Sequence, residues 1–451
     1  MCNKNQFKNL IITSLVSLFI FIIGCDDQTK NAENNITPSL SNNTTEKTFI
    51  EFAYLKVDKK QAQLVISHYA DLMYAMLTDA TYYAEQLQNE INIFLANPNA
   101  KTQAKAKKAW IKAINSYMQL ESLAFIKPEN RTWNSFIKTY NINEGLIDYV
   151  TVDTYAESGN YAAFTNIIAS QTISLNDMEL DASNINLDLL INLHNALGFS
   201  TNVTTGYHVI EFLLWGQDNH GNAPGGGERS YTDYKLGNEC TNDNCERRST
   251  YLKVVTDYLV YELKNMKYQW ETNNLNNYGV EKDLYSAQDE DANALHSILY
   301  SLYHLSFHEL AHNRLNFALE TGSARTEIDS FSNNSHNSYY YSTLGIKNIY
   351  FGKYVTANGK EITGNSIQEL VKQVNPELDN KIQHYLIDTV NKAQLLVDYA
   401  DNGKFFDQLI DPTNTEGNKI VQDIIDALLI QARVINEEIS DALLTVNDLT
   451  F

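Results

Sequence analysis

Seven stretches of this 451-residue chain carry apolar side chains at helical spacing, and that pattern limits the fold more than any other feature. They cover 57–96, 101–126, 187–215, 249–274, 284–320, 376–402 and 417–446. Strict apolar/polar alternation, the mark of half-buried strands, is scarce. Pro98, Pro128 and Pro376 stand at expected helix boundaries, and Asn402-Gly403 is a stop signal. Two stretches break the pattern: 216–248, with Pro224-Gly225-Gly226-Gly227, and 321–363, rich in Ser, Asn and Tyr. The expectation is an all-α protein with long irregular loops, and loops of that length are more often functional than idle.

Residues 1–24 read as an export signal. Lys4 and Lys8 form its positive head, and an apolar run from Leu10 to Ile23 follows, too short for a comfortable membrane span. It ends in Ile22-Ile23-Gly24-Cys25, which resembles a bacterial lipobox and implies acylation of Cys25. A lipid-anchored protein on the periplasmic or cell-surface side of a membrane is therefore expected. Residues 25–50, rich in Asn, Thr and Ser, read as a flexible tether. The body would divide into a first helical-bundle half over 51–200 and a second over 201–451.

The formal net charge is −21, and no basic stripe interleaved with aromatics is present, so nucleic acid is excluded as an expected partner. Cys240 and Cys245, close together in a polar loop of an exported chain, read as a local disulfide.

The helical faces place charge where apolar groups belong. Glu121 falls near the centre of the stripe Ala106, Trp110, Ala113, Ile114 and Tyr117, and Glu309 near the centre of the stripe Leu295, Leu299, Leu302 and Leu310. Asp79 lies within the stripe Leu72, Met76, Tyr83 and Leu87. In Gly206-Tyr207-His208-Val209-Ile210-Glu211, an imidazole and a carboxylate stand three residues apart in an apolar run, with Trp215 on the face of His208. A buried carboxylate without a partner costs several kcal/mol, so such groups must be paired, protonated or metal-bound. Helical bundles build metal sites from inward carboxylates and histidines in this way. One ion held by His208, Glu211, Glu121 and Glu309 is the resulting expectation, with Asp79, Trp215 and Arg314 around it.

His308-Glu309-Leu310-Ala311-His312 spells the zinc-peptidase pattern H-E-x-x-H. With Glu309 at the centre of its stripe, His308 falls about 100° away and His312 about 60° away on an ideal helix. Both imidazoles cannot then face one zinc ion, and the zincin reading is set aside.

The ordered set of these residues resembles the imelysin-like family. Its G-x-H-x-x-E motif is matched by Gly206, His208 and Glu211, and Phe212-Leu213-Leu214-Trp215-Gly216-Gln217-Asp218 continues it. Further likeness lies in Trp110, Tyr117 and Glu121, in Arg229, Arg247 and Arg248, and in Glu309, Arg314, Glu327, Phe331-Ser332, Asn334 and His336. The family commonly has glycine where His308 and His312 stand. The resemblance implies two packed helical-bundle halves with the motif at a cleft between them, export, frequent lipid anchoring and a link to iron supply. From it follows the expectation of an exported lipoprotein that binds a divalent metal, iron before zinc, or a small metal complex, and works with iron-transport partners. Two alternatives stand beside it: a metallopeptidase in which His208 is a ligand and Glu211 a ligand or the base, and a structural or binding lipoprotein with no metal.

Overall fold

Thirty-eight residues from Lys59 to Ala96 form α1, which Asp58 starts by accepting the N–H of Gln61. In the computed structural model, residues 51–126, 128–151, 157–176, 178–271 and 290–448 are described. The export signal, Cys25 and the tether lie outside them. Along the chain follow α2 (Ala100–Met118), α3 (Pro128–Lys138), α4 (Glu144–Ile147), α5 (Leu187–Leu193), α6 (Tyr207–Trp215), α7 (Cys245–Gln269) and α8 (Glu290–His304). Then come α9 (Phe317–Thr321), α10 (Ser335–Phe351), α11 (Ile367–Val374), α12 (Pro376–Asp401), α13 (Phe406–Ile410), α14 (Thr415–Arg433) and α15 (Ser440–Leu443). A π-helical stretch, Leu305–Asn316, joins α8 to α9, and a shorter one, Val434–Ile439, joins α14 to α15.

The fold is all-α, with three small antiparallel pairs. Strand β1 (Glu51–Leu55) pairs with β6 (Leu444–Asp448), with Ala53 opposite Val446, so the two ends of the body are tied together. The hairpins β2–β3 (Thr172–Leu175, Met178–Asp181) and β4–β5 (Lys353–Val355, Glu361–Thr363) are local. Helix α1 packs on α2 and α7, while α10 packs on α12 and α2, and α14 on α12 and the first π stretch. One continuous apolar core runs from Val65 and Met73 through Trp110, Phe212 and Leu299 to Leu428. Among the described residues no helix is long and apolar enough to cross a membrane.

Three departures from the periodicity reading matter for the site. The expected helix over 187–215 is two short helices, because Asn195, Leu197, Gly198 and Gly206 all have positive φ and break it. The helix expected over 101–126 ends at Met118 and continues as a 3-10 turn, Glu121–Phe125. Part of the stretch expected to be irregular, 321–363, is the 17-residue helix α10, whose buried residues include Ser335, His336, Ser338, Ser342 and Thr343.

Candidate metal centre

Helix α6 is buried along its whole length and is held at both ends by glycines with positive φ, Gly206 at +98° and Gly216 at +76°. A Cβ on Gly206 would sit 2.5 Å from the carbonyl oxygen of Ile137, so the end of α3 can press against the start of α6 only because that side chain is missing. Trp110 on α2 fixes α6 from the other side. Its indole N–H donates to the Tyr207 carbonyl at 2.8 Å, and its ring meets those of His208 and Trp215 edge-on at 6.3 and 5.4 Å.

With α6 so placed, the i,i+3 pair closes: His208 Nδ1 lies 2.9 Å from Glu211 Oε2. The loop before α10 supplies the rest. Ser332 N–H donates to Glu211 Oε1 at 2.8 Å, and Asp329 Oδ1 reaches to 3.7 Å from His208 Nδ1. Asp329 is aimed by its own neighbours, since Asn334 and Ser338 donate to Oδ2 at 2.9 and 2.5 Å while its N–H donates to Ser335 Oγ. Both irregular stretches of sequence meet here. The N–H of Gly227 donates to the Phe331 carbonyl at 2.8 Å, and Phe331 packs on Phe212 of α6.

One nitrogen and two carboxylates, all buried, thus offer ligand atoms within 4.8 Å of one another. Bonds of ~2.1 Å to a single ion put neighbouring ligand atoms about 3.0–3.4 Å apart, and the observed 2.9 and 3.7 Å bracket that span. Asp329 Oδ1 has no hydrogen-bond partner, although buried polar atoms normally have one. The donor set fits a cation.

The electrostatics agree. Burial pushes the Glu211 carboxyl up to about 8, against the opposing Ser332 hydrogen bonds. Burial, with Glu211 adding to it, lifts Asp329 to about 6. Burial also lowers His208 to about 4, so its imidazole is neutral and ready to ligate. Two residues before Asp329, Glu327 is buried with both carboxylate oxygens unpartnered, and burial raises it well above the usual range.

The structure does not bring Glu121 and Glu309 into this group. Glu121 Oε2 and Oε1 accept from Arg314 at 3.0 and 2.9 Å, and the same carboxylate takes Lys138 Nζ and the Ser342 hydroxyl. Burial opposes its charge, yet Arg314 and Lys138 outweigh that and hold it at about 2. Burial in turn lowers Lys138 to about 8. Glu309 lies 3.4 Å from Arg314 and is partly exposed on a cleft of about 520 Å³, which Tyr140, His312, Glu320 and Arg325 also line. Its meeting with Arg314 follows from the π geometry, in which residues i and i+5 align. His308 packs on His304 and His312 on Phe307, and among the described residues neither joins a metal-holding group.

Asp79 stands elsewhere. It accepts the Tyr354 hydroxyl at 2.8 Å and the Ala357 N–H at 2.7 Å, clasping the β4–β5 hairpin to α1. Trp215 touches Trp110 rather than His208. Arg314 is near, separated from His208 by the Tyr140 ring. Cys240 and Cys245 are disulfide-bonded. Arg229 and Arg248 converge on Asp148, with Arg248 bidentate at 2.7 and 3.0 Å, forming a structural ion cluster beneath α6.

Sequence reasoning misses Asp329 and Lys138. The usable signal for Asp329 was its place in 327–338, a run of Ser and Asn with acids too polar for an idle loop. Lys138 gives none, since a lysine at a helix end reads as solvated.

The Imelysin family model (peptidase M75) matches residues 73–435. No curated protein sequence matches the chain. A crystal structure from Parabacteroides distasonis, named "putative iron-regulated protein A precursor", is similar at a TM-score of 0.56 and 15% identity, covering 84% of this chain and 96% of that one. At that identity the likeness speaks for the fold alone.

Proposed function

This chain belongs to the imelysin family, and we propose that it is an exported lipoprotein that takes up a metal ion, iron in the first place, between His208, Glu211 and Asp329. The observation that carries the reading is the convergence of three buried ligand atoms with Asp329 Oδ1 left unpartnered. An imidazole with two carboxylates suits iron or manganese better than a thiolate-seeking ion. The name of the similar Parabacteroides structure supports the tie to iron, and its designation as a precursor supports export. Acylation of Cys25 would tether the body to a membrane.

The residues divide the work. Glu211 holds a proton against His208 at neutral pH, and that proton occupies the place of an ion. Uptake therefore releases it, and affinity rises with pH. Asn334 and Ser338 hold Asp329 in place, so little ordering is left to be done on binding. Ser332 N–H fixes the other oxygen of Glu211. A hydrolytic role is the weaker reading, because the three groups are fully buried and none of them lines the cleft of about 520 Å³.

Metal analysis of protein purified without chelators or affinity metals is the test. Near-stoichiometric iron or manganese, lost in His208→Ala and Asp329→Asn variants that keep their helical circular dichroism, is expected. Equal metal in wild type and both variants would overturn the site. Metal-dependent cleavage of a peptide library, abolished in Glu211→Gln, would turn the reading to the peptidase.

A further inference from the structure

We propose that the cleft of about 520 Å³ beside the first π stretch binds a short peptide, three or four residues long, with its free amino end at Glu309 and its free carboxylate at Arg325. The site stands apart from the metal centre and does not rest on the metal reading. Its volume falls among those of small-ligand pockets, roughly 300–1,000 Å³. One wall is a helical strip. Glu309, Asn313, Asn316 and Glu320 follow at intervals of four, three and four residues, which keeps them on one face of the π stretch and α9. Eleven residues at the α-helical rise span about 16 Å, and three or four extended residues span about 10–14 Å. Asn141, past the end of α3, faces this strip. The hydroxyls of Thr321 and Thr326 lie 3.0 Å apart, so Arg325 stands at the Glu320 end of the cleft, remote from Glu309.

Opposite charges line this cleft without meeting. Arg325 is exposed and, among the described residues, makes no hydrogen bond or ion pair. Glu309 is met only at 3.4 Å, by Arg314 and by Asn313, longer than the roughly 2.7–2.9 Å of charge-assisted bonds. Arg314 is already committed to Glu121, whose two oxygens it takes at 3.0 and 2.9 Å. An ammonium therefore finds an under-served carboxylate at one end, and a carboxylate finds an idle guanidinium at the other. A guanidinium takes a carboxylate through two parallel bonds. The other acid, Glu320, accepts from Asn316 at 2.8 Å. Counted with the buried groups behind the wall, Glu121, Glu309 and Glu320 cancel Lys138, Arg314 and Arg325, so a ligand with no net charge suits the cleft better than a plain cation or anion. Between the ends, the amides of Asn141 and Asn313 offer both donors and acceptors, which peptide N–H and C=O groups require. Phe317, 51% exposed in the same wall, gives an apolar side chain a ring to cover.

Isothermal titration calorimetry of the full chain with the tripeptide alanyl-leucyl-alanine tests the site. The free tripeptide is expected to bind. Its N-acetyl form and its C-terminal amide should each bind about tenfold or more weakly, since each loses one charge-assisted contact, and free alanine should bind more weakly still. Glu309→Gln should abolish the discrimination against the N-acetyl form, and Arg325→Met the discrimination against the amide. Both side chains reach solvent, so the variants should keep the fold, which circular dichroism checks. No binding of the free tripeptide at millimolar concentration would overturn the proposal. So would equal affinity for the free and capped forms, alanine bound as tightly as the tripeptide, or discrimination that survives both substitutions.

Discussion

Replacing Glu211 by glutamine separates the cost of the empty centre from its use. In the folded chain the carboxyl is pushed from 4.5 to about 8, with burial as the main cause. A carboxyl whose folded value is raised stabilises the fold while it is protonated in both states. That contribution is complete below about pH 4.5, declines as pH rises, and is gone once pH passes about 8. The gap corresponds to roughly 5 kcal/mol as an upper bound, because Asp329, raised to about 6, carries part of the same burial cost. Glutamine mimics the protonated form. Its carbonyl can accept from Ser332 N–H and its amide can donate to His208 Nδ1, reproducing both bonds at 2.8 and 2.9 Å.

Metal-free Glu211→Gln should therefore already exceed wild type by roughly 1–2 kcal/mol at pH 6, where the wild-type carboxyl ionises only in the unfolded chain, and by roughly 2–5 kcal/mol at pH 9. Chemical denaturation at the two pH values measures this. The same variant should bind metal at least about 100-fold more weakly, since an anionic ligand is gone. Wild-type affinity should rise with pH up to about 8, and the variant should lose that proton-linked rise. A variant that is several kcal/mol less stable at pH 6, or whose stability falls with pH in parallel with wild type, would refute the reasoning.

Three other variants probe the scaffold. Gly206→Ala puts a methyl 2.5 Å from the Ile137 carbonyl at a φ of +98°, and should cost about 3 kcal/mol or more in urea denaturation; a loss under 1 kcal/mol would mean α3 does not press on α6. Asp148→Ala strips two buried guanidiniums, Arg229 and Arg248, of their shared carboxylate and should destabilise by about 3–5 kcal/mol; a neutral result would remove the structural role given to that cluster. The double variant His308→Ala/His312→Ala should keep its bound metal and lose no more than about 1 kcal/mol; loss of zinc or iron on elemental analysis would restore the H-E-x-x-H pattern as a site.

What the sequence showed and hid divides along a physical line. Helices whose buried face is apolar, such as α1 and α12, were legible from periodicity almost to the residue, because burial of carbon sets the pattern. Helix α10 was not: its interior face carries Ser335, Ser338 and Ser342, which serve Asp329 and Glu121 by hydrogen bonding, so it reads as loop. The site failed in the same place. His208 and Glu211 were visible because both ligands sit on one helix at fixed spacing, whereas Asp329 comes from a loop whose position depends on tertiary contacts. Glu121 was rightly expected inside, but inwardness cannot say what partner waits there. A carboxylate that faces a core is equally served by an ion and by a guanidinium, and Arg314, itself on a π turn that ideal periodicity misplaces, decided between them. Burial thus follows from pattern alone, while the choice between metal ligand and ion pair depends on which cation the fold delivers. For Glu121 it delivers two of its own, and for Glu211 and Asp329 it delivers none.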